Sequence, residues 1–139
     1  MLNYNQSLPD QTLIQDLQMK EIKPIMKLII RGKKREFISA VGKSLNILLP
    51  TEANTSTQSD KLTALWLSPD EWMIFSNEPV DEETNNYETE ELLNKNISKL
   101  NLGAITDVTD QFVMINLKGS KIYELFQTGS PFNFNDFQN

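Results

Sequence analysis

The stretch LWLSPDEWMIF, at 65–75, constrains the fold most. Two apolar runs, 62–67 and 72–76, flank Ser68, Pro69, Asp70 and Glu71. Pro at the second turn position and Asp at the third suit a type I turn. The pattern predicts an antiparallel hairpin with Leu67 opposite Trp72 and Leu65 opposite Ile74. One face then carries Leu65, Leu67, Trp72 and Ile74; the other carries Leu62, Ala64, Trp66, Met73 and Phe75. The two tryptophans fall on opposite faces by parity. An antiparallel hairpin with one wet face alternates apolar and polar residues. This one is apolar on both faces, so both need cover. An aromatic ring buries about 150–250 Å², too much to leave in water across a sheet face.

The flanking segments say what covers one face. Residues 25–31, IMKLIIR, read as a strand after Pro24, and Gly32 ends it. Residues 34–45 read as a helix with Phe37, Ile38, Val41 and Leu45 on one side. The polar run 51–60, TEANTSTQSD, reads as a structureless loop. After an acidic run at 81–91, a second helix starts with Thr89 as N-cap and buries Leu92, Leu93, Ile97 and Leu100. Further strands follow at 104–108 and 112–117, then a short helix bearing Ile122, Leu125 and Phe126, closed by Gly129. The order strand, helix, hairpin, helix, strand is an α+β fold: an antiparallel sheet with helices on one face, a split β-α-β (ferredoxin-like) unit. Residues 1–20 read as an N-terminal arm with a short helix at 12–19, and 21–139 as one domain. The helices pack on one hairpin face through Phe37, Val41, Leu93 and Ile97. Met26, Leu28 and Ile30 add to the case that the second face is dry. Its cover is either the strands after Gly103 or another polypeptide, which makes Trp66, Trp72, Met73 and Phe75 the expected partner interface.

Composition removes most chemistry. The 139 residues include no histidine and no cysteine. Disulfides, thiol nucleophiles, Cys/His zinc sites, a Ser-His-acid triad and covalent flavin attachment through either residue are excluded. The net charge of −6 argues against general nucleic-acid binding. No apolar run approaches a membrane span, and the N-terminus lacks a signal-peptide pattern, so a cytoplasmic location is expected.

Four polar clusters are candidate sites. Asp70 and Glu71 are paired acids, yet turn preference explains Asp70. Arg31, Lys33, Lys34 and Arg35 could hold a phosphate but suit a solvated strand end. Lys118-Gly119-Ser120 before a helix lacks the glycines of a phosphate loop. Asp107 and Asp110 lack a calcium-loop ladder. Asn54 and Asn96 stand in glycosylation sequons, which matter only in a secreted chain. No catalytic, cofactor-binding or metal-binding residue is assigned.

The motif LWLSPDEWMI, followed by GAITDVTDQFVMINLKGSKIYELFQTGSPFNF, resembles the gamma subunit of bacterial heterotetrameric sarcosine oxidase. Leu65 to Trp72 match that family's pattern with Ser68 in place of glycine. The segments from Gly103 to Thr109 and from Leu117 to Phe126 resemble a wider pattern, shared with the folate-dependent aminomethyltransferase of the glycine cleavage system. Thr109 stands where serine is usual, and Pro131 and Phe132 fit the family only loosely. The resemblance spans about 45–134, and family members usually continue with more strands, so a short or truncated form is expected. It implies part of an aminomethyltransferase-like domain that serves as a non-catalytic assembly subunit. No cofactor is expected in this chain; FAD, FMN, NAD and tetrahydrofolate are implied in larger partner subunits. The complex would oxidise sarcosine to glycine, a one-carbon unit and peroxide. The alternative is a stand-alone folate-binding domain, with Asp107 or Asp70 reaching the folate amines. A third reading is a split β-α-β domain that assembles with itself.

Overall fold

The computed structural model describes residues 6–8, 12–14, 16–79 and 87–134. Residues 81–86 of the acidic run lie outside them. The chain divides into two compact units: Lys23–Phe112, and Met1–Ile22 together with Val113–Asn139.

The larger unit realises the split β-α-β prediction. Its elements are β3 (Lys27–Arg31), α1 (Arg35–Leu45), β4 (Ser56–Gln58), β5 (Leu62–Ser68), β6 (Glu71–Ser76), α2 (Tyr87–Asn96), a 3-10 turn at Ser98–Leu100 and β7 (Ala104–Asp107). The sheet order is β4-β5-β6-β3-β7, with every neighbouring pair antiparallel. Strand β6 is inserted between β3 and β5, which is what splits the β-α-β unit. The run at 51–60 is not structureless: Ser56–Gln58 pairs with β5, because an exposed edge partner needs backbone groups rather than apolar side chains.

Alternation along β3, β5 and β6 sends one row of side chains toward the helices. Leu28, Ile30, Ala64, Trp72 and Ile74 pack with Phe37 and Val41 of α1, Leu93 of α2 and Ile97 just after that helix in one buried cluster. Leu28 and Ile30 therefore belong to the helix side, not to the second face as the sequence suggested. Leu92 and Leu100, expected in the buried stripe, are exposed at 40% and 62%. Thr89 lies inside α2 rather than at its cap. Phe37 explains two glycines. A Cβ on Gly32 would lie 2.4 Å from its ring, and one on Gly103 2.6 Å.

The smaller unit corrects the reading of the N-terminus. Residues 12–14 and 17–21 are strands, β1 (Thr12–Ile14) and β2 (Leu17–Glu21), not a helix. They form a three-stranded sheet with β8 (Ile115–Lys118), in the order β1-β2-β8. Strand β2 gains its partner about a hundred residues away, a pairing that a local window cannot register. The last helix, α3 (Ile122–Gly129), completes the described part. Gly119, at φ +135°, approaches Asp16 so closely that a Cβ would overlap the Asp16 carbonyl oxygen. Glycine is required there by backbone contact and by its positive φ, a structural reason for the Lys118-Gly119-Ser120 segment.

Candidate partner interface

The hairpin register decides where the tryptophans go. Ser68 pairs with Glu71, as a four-residue turn requires, but Trp66 pairs with Trp72 and Leu65 with Met73. A bulge between Trp66 and Ser68 absorbs one residue. An extra residue on one strand reverses parity beyond it. Trp66 and Trp72 thus face the same side, contrary to the sequence expectation. Trp72 is 1% exposed and stacks on Phe37 with centroids 5.9 Å apart. Its Nε1 donates to the Pro50 carbonyl oxygen at 2.7 Å. It is a core residue, which removes it from the predicted interface. Trp66 is half-buried at the margin of that core.

The opposite face keeps the other two predicted interface residues. Leu65, Met73 and Ile29 lie side by side across β5, β6 and β3 through the pairs Leu65–Met73 and Ile29–Met73. Phe75 sits one rung along, between Thr63 and Lys27. Leu65, Met73, Ile29 and Phe75 are all half-buried. Strand β7 does not fold beneath them; it extends the same sheet beside β3. Sequence reasoning missed Ile29, although its alternation with Leu28 and Ile30 was the available signal.

The polar clusters resolve into structural bonds. Asp70 closes the hairpin turn onto the end of β3, uniting two clusters that the sequence presents separately. Its Oδ1 accepts from the Ser68 hydroxyl at 3.0 Å, and its Oδ2 lies 3.5 Å from Arg31 Nε and 3.9 Å from Lys33 Nζ. Its backbone oxygen accepts from Gly32 N at 2.9 Å. The Ser68 hydrogen bond, reinforced by the Arg31 and Lys33 charges, holds the Asp70 carboxyl below its ordinary pKa.

Asp107 and Thr109 belong to a lysine lock. Lys27 is 4% exposed, and its Nζ donates to the Ile25 and Thr109 carbonyl oxygens, both at 3.0 Å. Its backbone N donates to Thr109 Oγ1 at 3.0 Å. Asp107 Oδ1 accepts from Thr109 N at 2.8 Å, shaping the turn that presents that carbonyl. Burial pushes the Lys27 ammonium below its ordinary pKa, with Asp110 and Asp107 opposing the shift. Asn96 ties the two helices together, its Nδ2 donating to Ser44 Oγ at 2.9 Å. Among the described residues no group of three or more acidic residues could hold a metal ion, and no helix is long and apolar enough to cross a membrane.

This arrangement of sheet and motifs agrees with the comparisons to known proteins. A model of the sarcosine oxidase gamma subunit family matches residues 31–137. The chain belongs to that family. The match spans the hairpin, the Asp107–Thr109 turn and α3, so it joins the two segments that carried the sequence resemblance. A chain of the heterotetrameric sarcosine oxidase from Corynebacterium sp. U-96, solved in complex with pyrrole 2-carboxylate, superposes with a TM-score of 0.75 at 14% identity. That superposition covers 92% of this chain and 63% of the other, so this chain spans under two thirds of the length it matches. At that identity the likeness shows a shared fold. A comparison with curated protein sequences found no match.

Proposed function

We propose that the chain is a structural subunit of a sarcosine-oxidase-type complex and docks on larger subunits through its sheet face. Membership of a subunit family carries this reading. The apolar row Leu65, Met73 and Ile29, with Phe75 beside it, supplies the docking surface; Trp66 lies on the other face, against the core. The chain contributes surface rather than chemistry. Its best-placed carboxylates, Asp70 and Asp107, are committed to turn-closing hydrogen bonds, and it has no histidine to act as a base near neutral pH. That commitment weighs against the stand-alone folate-binding alternative. FAD, FMN, NAD and tetrahydrofolate would sit in the larger subunits, and sarcosine would be demethylated there to glycine in the cytoplasm.

Co-expression of the tagged chain with the larger subunits of the same organism tests the proposal. The expected result is stoichiometric co-purification, with Met73→Asp/Phe75→Asp reducing recovery by at least tenfold. A chain that never co-purifies refutes the subunit reading. Heat on titration of the isolated chain with tetrahydrofolate would revive the folate alternative.

A further inference from the structure

The chain's charge is unevenly distributed. Residues 31–43 contain Arg31, Lys33, Lys34, Arg35 and Lys43 against one acid, Glu36, a net +4. The other 126 residues therefore carry −10 of the −6 total. All five cations are exposed. Arg31 and Lys33 are gathered against Asp70 at the end of β3, while Lys34, Arg35 and Lys43 form no ion pair among the described residues. Along α1, Arg35, Glu36, Ser39, Ala40 and Lys43 line a shallow groove on the surface.

The Asp70 contacts explain Arg31 and Lys33, but local folding does not explain Lys34 and Arg35. Lys34 and Arg35 stand at the first turn of α1, where the peptide dipoles already present positive charge and acids are preferred. The five like charges also repel one another. Sequences that keep a locally unfavourable arrangement commonly do so for a contact made elsewhere.

We infer that this basic edge is a second docking surface, and that it takes an acidic surface of a larger subunit. The inference rests on the subunit reading above and adds to it the chemistry of one contact. A partner carboxylate entering this groove would lie between Arg35 and Lys43, with Ser39, Ala40 and Glu36 on its walls, two cations against one acid. Protein is favoured over nucleic acid or an anionic membrane because the remaining −10 repels an extended polyanion, whereas a protein presents a patch of limited extent. Charge pairs of this kind set association rate and orientation more than total affinity.

Charge reversal tests the inference in the intact complex. Binding of the full chain to the larger subunits is measured for wild type, Lys34→Glu/Arg35→Glu, and a control, Lys61→Glu/Lys99→Glu, at about 50 mM and about 500 mM salt. Circular dichroism confirms folding, and Lys34→Gln/Arg35→Gln serves if the reversal variant does not fold. We expect the reversal to weaken binding at least tenfold at low salt and the glutamine pair about threefold. The gap should narrow at high salt, where screening acts over roughly 4–5 Å. The control should bind as wild type does. Reversal without effect at low salt overturns the inference while leaving the subunit reading intact. Wild type that binds at neither salt overturns both. Binding of the isolated chain to a DNA duplex or to anionic vesicles, with none to polyglutamate, also overturns the acidic-protein assignment.

Discussion

The two units of this chain reach order by different means. The larger unit is built round a buried cluster in which Phe37, Val41, Ala64, Ile74, Leu93 and Ile97 are all 0% exposed. In the smaller unit the only buried residues among those described are Glu21 and Phe134. Helix α3 buries no residue, and Val113, Ile115, Leu125, Phe126 and Phe132 are 39–51% exposed. Its visible packing is aromatic: Phe134 stacks on Phe126 at 5.2 Å and meets Phe132 edge-on at 5.4 Å. Among the described residues it is joined by main-chain pairing of β2 with β1 and β8, by Ile22 N donating to the Met114 carbonyl oxygen, and by Leu8 N donating to the Glu21 carboxylate at 2.8 Å. A three-stranded sheet can be held by its ladder, but without a closed core it is marginal by itself. The comparison teaches that family resemblance along a sequence does not imply an even distribution of stability along it.

The sharpest way to break this contrast is paired truncation. Trp72→Ala should destabilise the larger unit by about 3–5 kcal/mol, the cost of emptying a large core site. Phe126→Ala should cost about 1 kcal/mol or less, since its ring is partly in water already. Urea unfolding followed by circular dichroism compares them; equal losses would mean the smaller unit has a core of similar quality.

A smaller effect is expected at the lysine lock. Lys27→Met keeps the stem but leaves the Ile25 and Thr109 carbonyls without their donor, a loss of about 1–3 kcal/mol. If burial of the ammonium were the dominant cost, the variant would instead be more stable. Native-state hydrogen exchange should show the change around Val108, whose N–H bonds the Lys27 carbonyl oxygen. The pH dependence provides a second check. A lysine whose folded pKa is lowered disfavours folding below that pKa, and the penalty fades as pH rises toward the ordinary lysine value. Wild type should therefore gain stability relative to Lys27→Met as pH climbs into the alkaline range.

The smallest effect belongs to Asp70. Its lowered carboxyl pKa contributes stability above the ordinary carboxylate range, and that contribution disappears as pH falls through the folded value. Asp70→Asn should therefore shift the urea midpoint slightly at pH 7 and converge with wild type on acidification below about pH 4. High salt should shrink the pH 7 difference too, because Arg31 and Lys33 are exposed. A large loss at pH 7 would show that the turn carries more of the larger unit than its geometry implies.

What was legible in the sequence follows physical range. The amphipathic stripe of Phe37, Val41 and Leu45 predicted α1, and the Ser68-Pro69-Asp70-Glu71 turn placed the hairpin, because both signals lie within a few residues. The split β-α-β order followed from them. By contrast, the bulge at Leu67 left no composition signal, yet it reversed the side on which Trp66 lies. The sheet of β1, β2 and β8 depends on backbone pairing across most of the chain, and polar strands such as Leu17–Glu21 announce no partner. The lysine lock brings Lys27 to Thr109, 82 residues away, so neither position looked like a site by itself. The absence of histidine and cysteine, the hairpin motif and the helix periodicities were determined by the sequence alone. Register, the burial of Trp72 and the commitment of Asp70 and Asp107 to structural bonds were decided only in the tertiary structure, because each depends on which distant backbone groups come within hydrogen-bond reach.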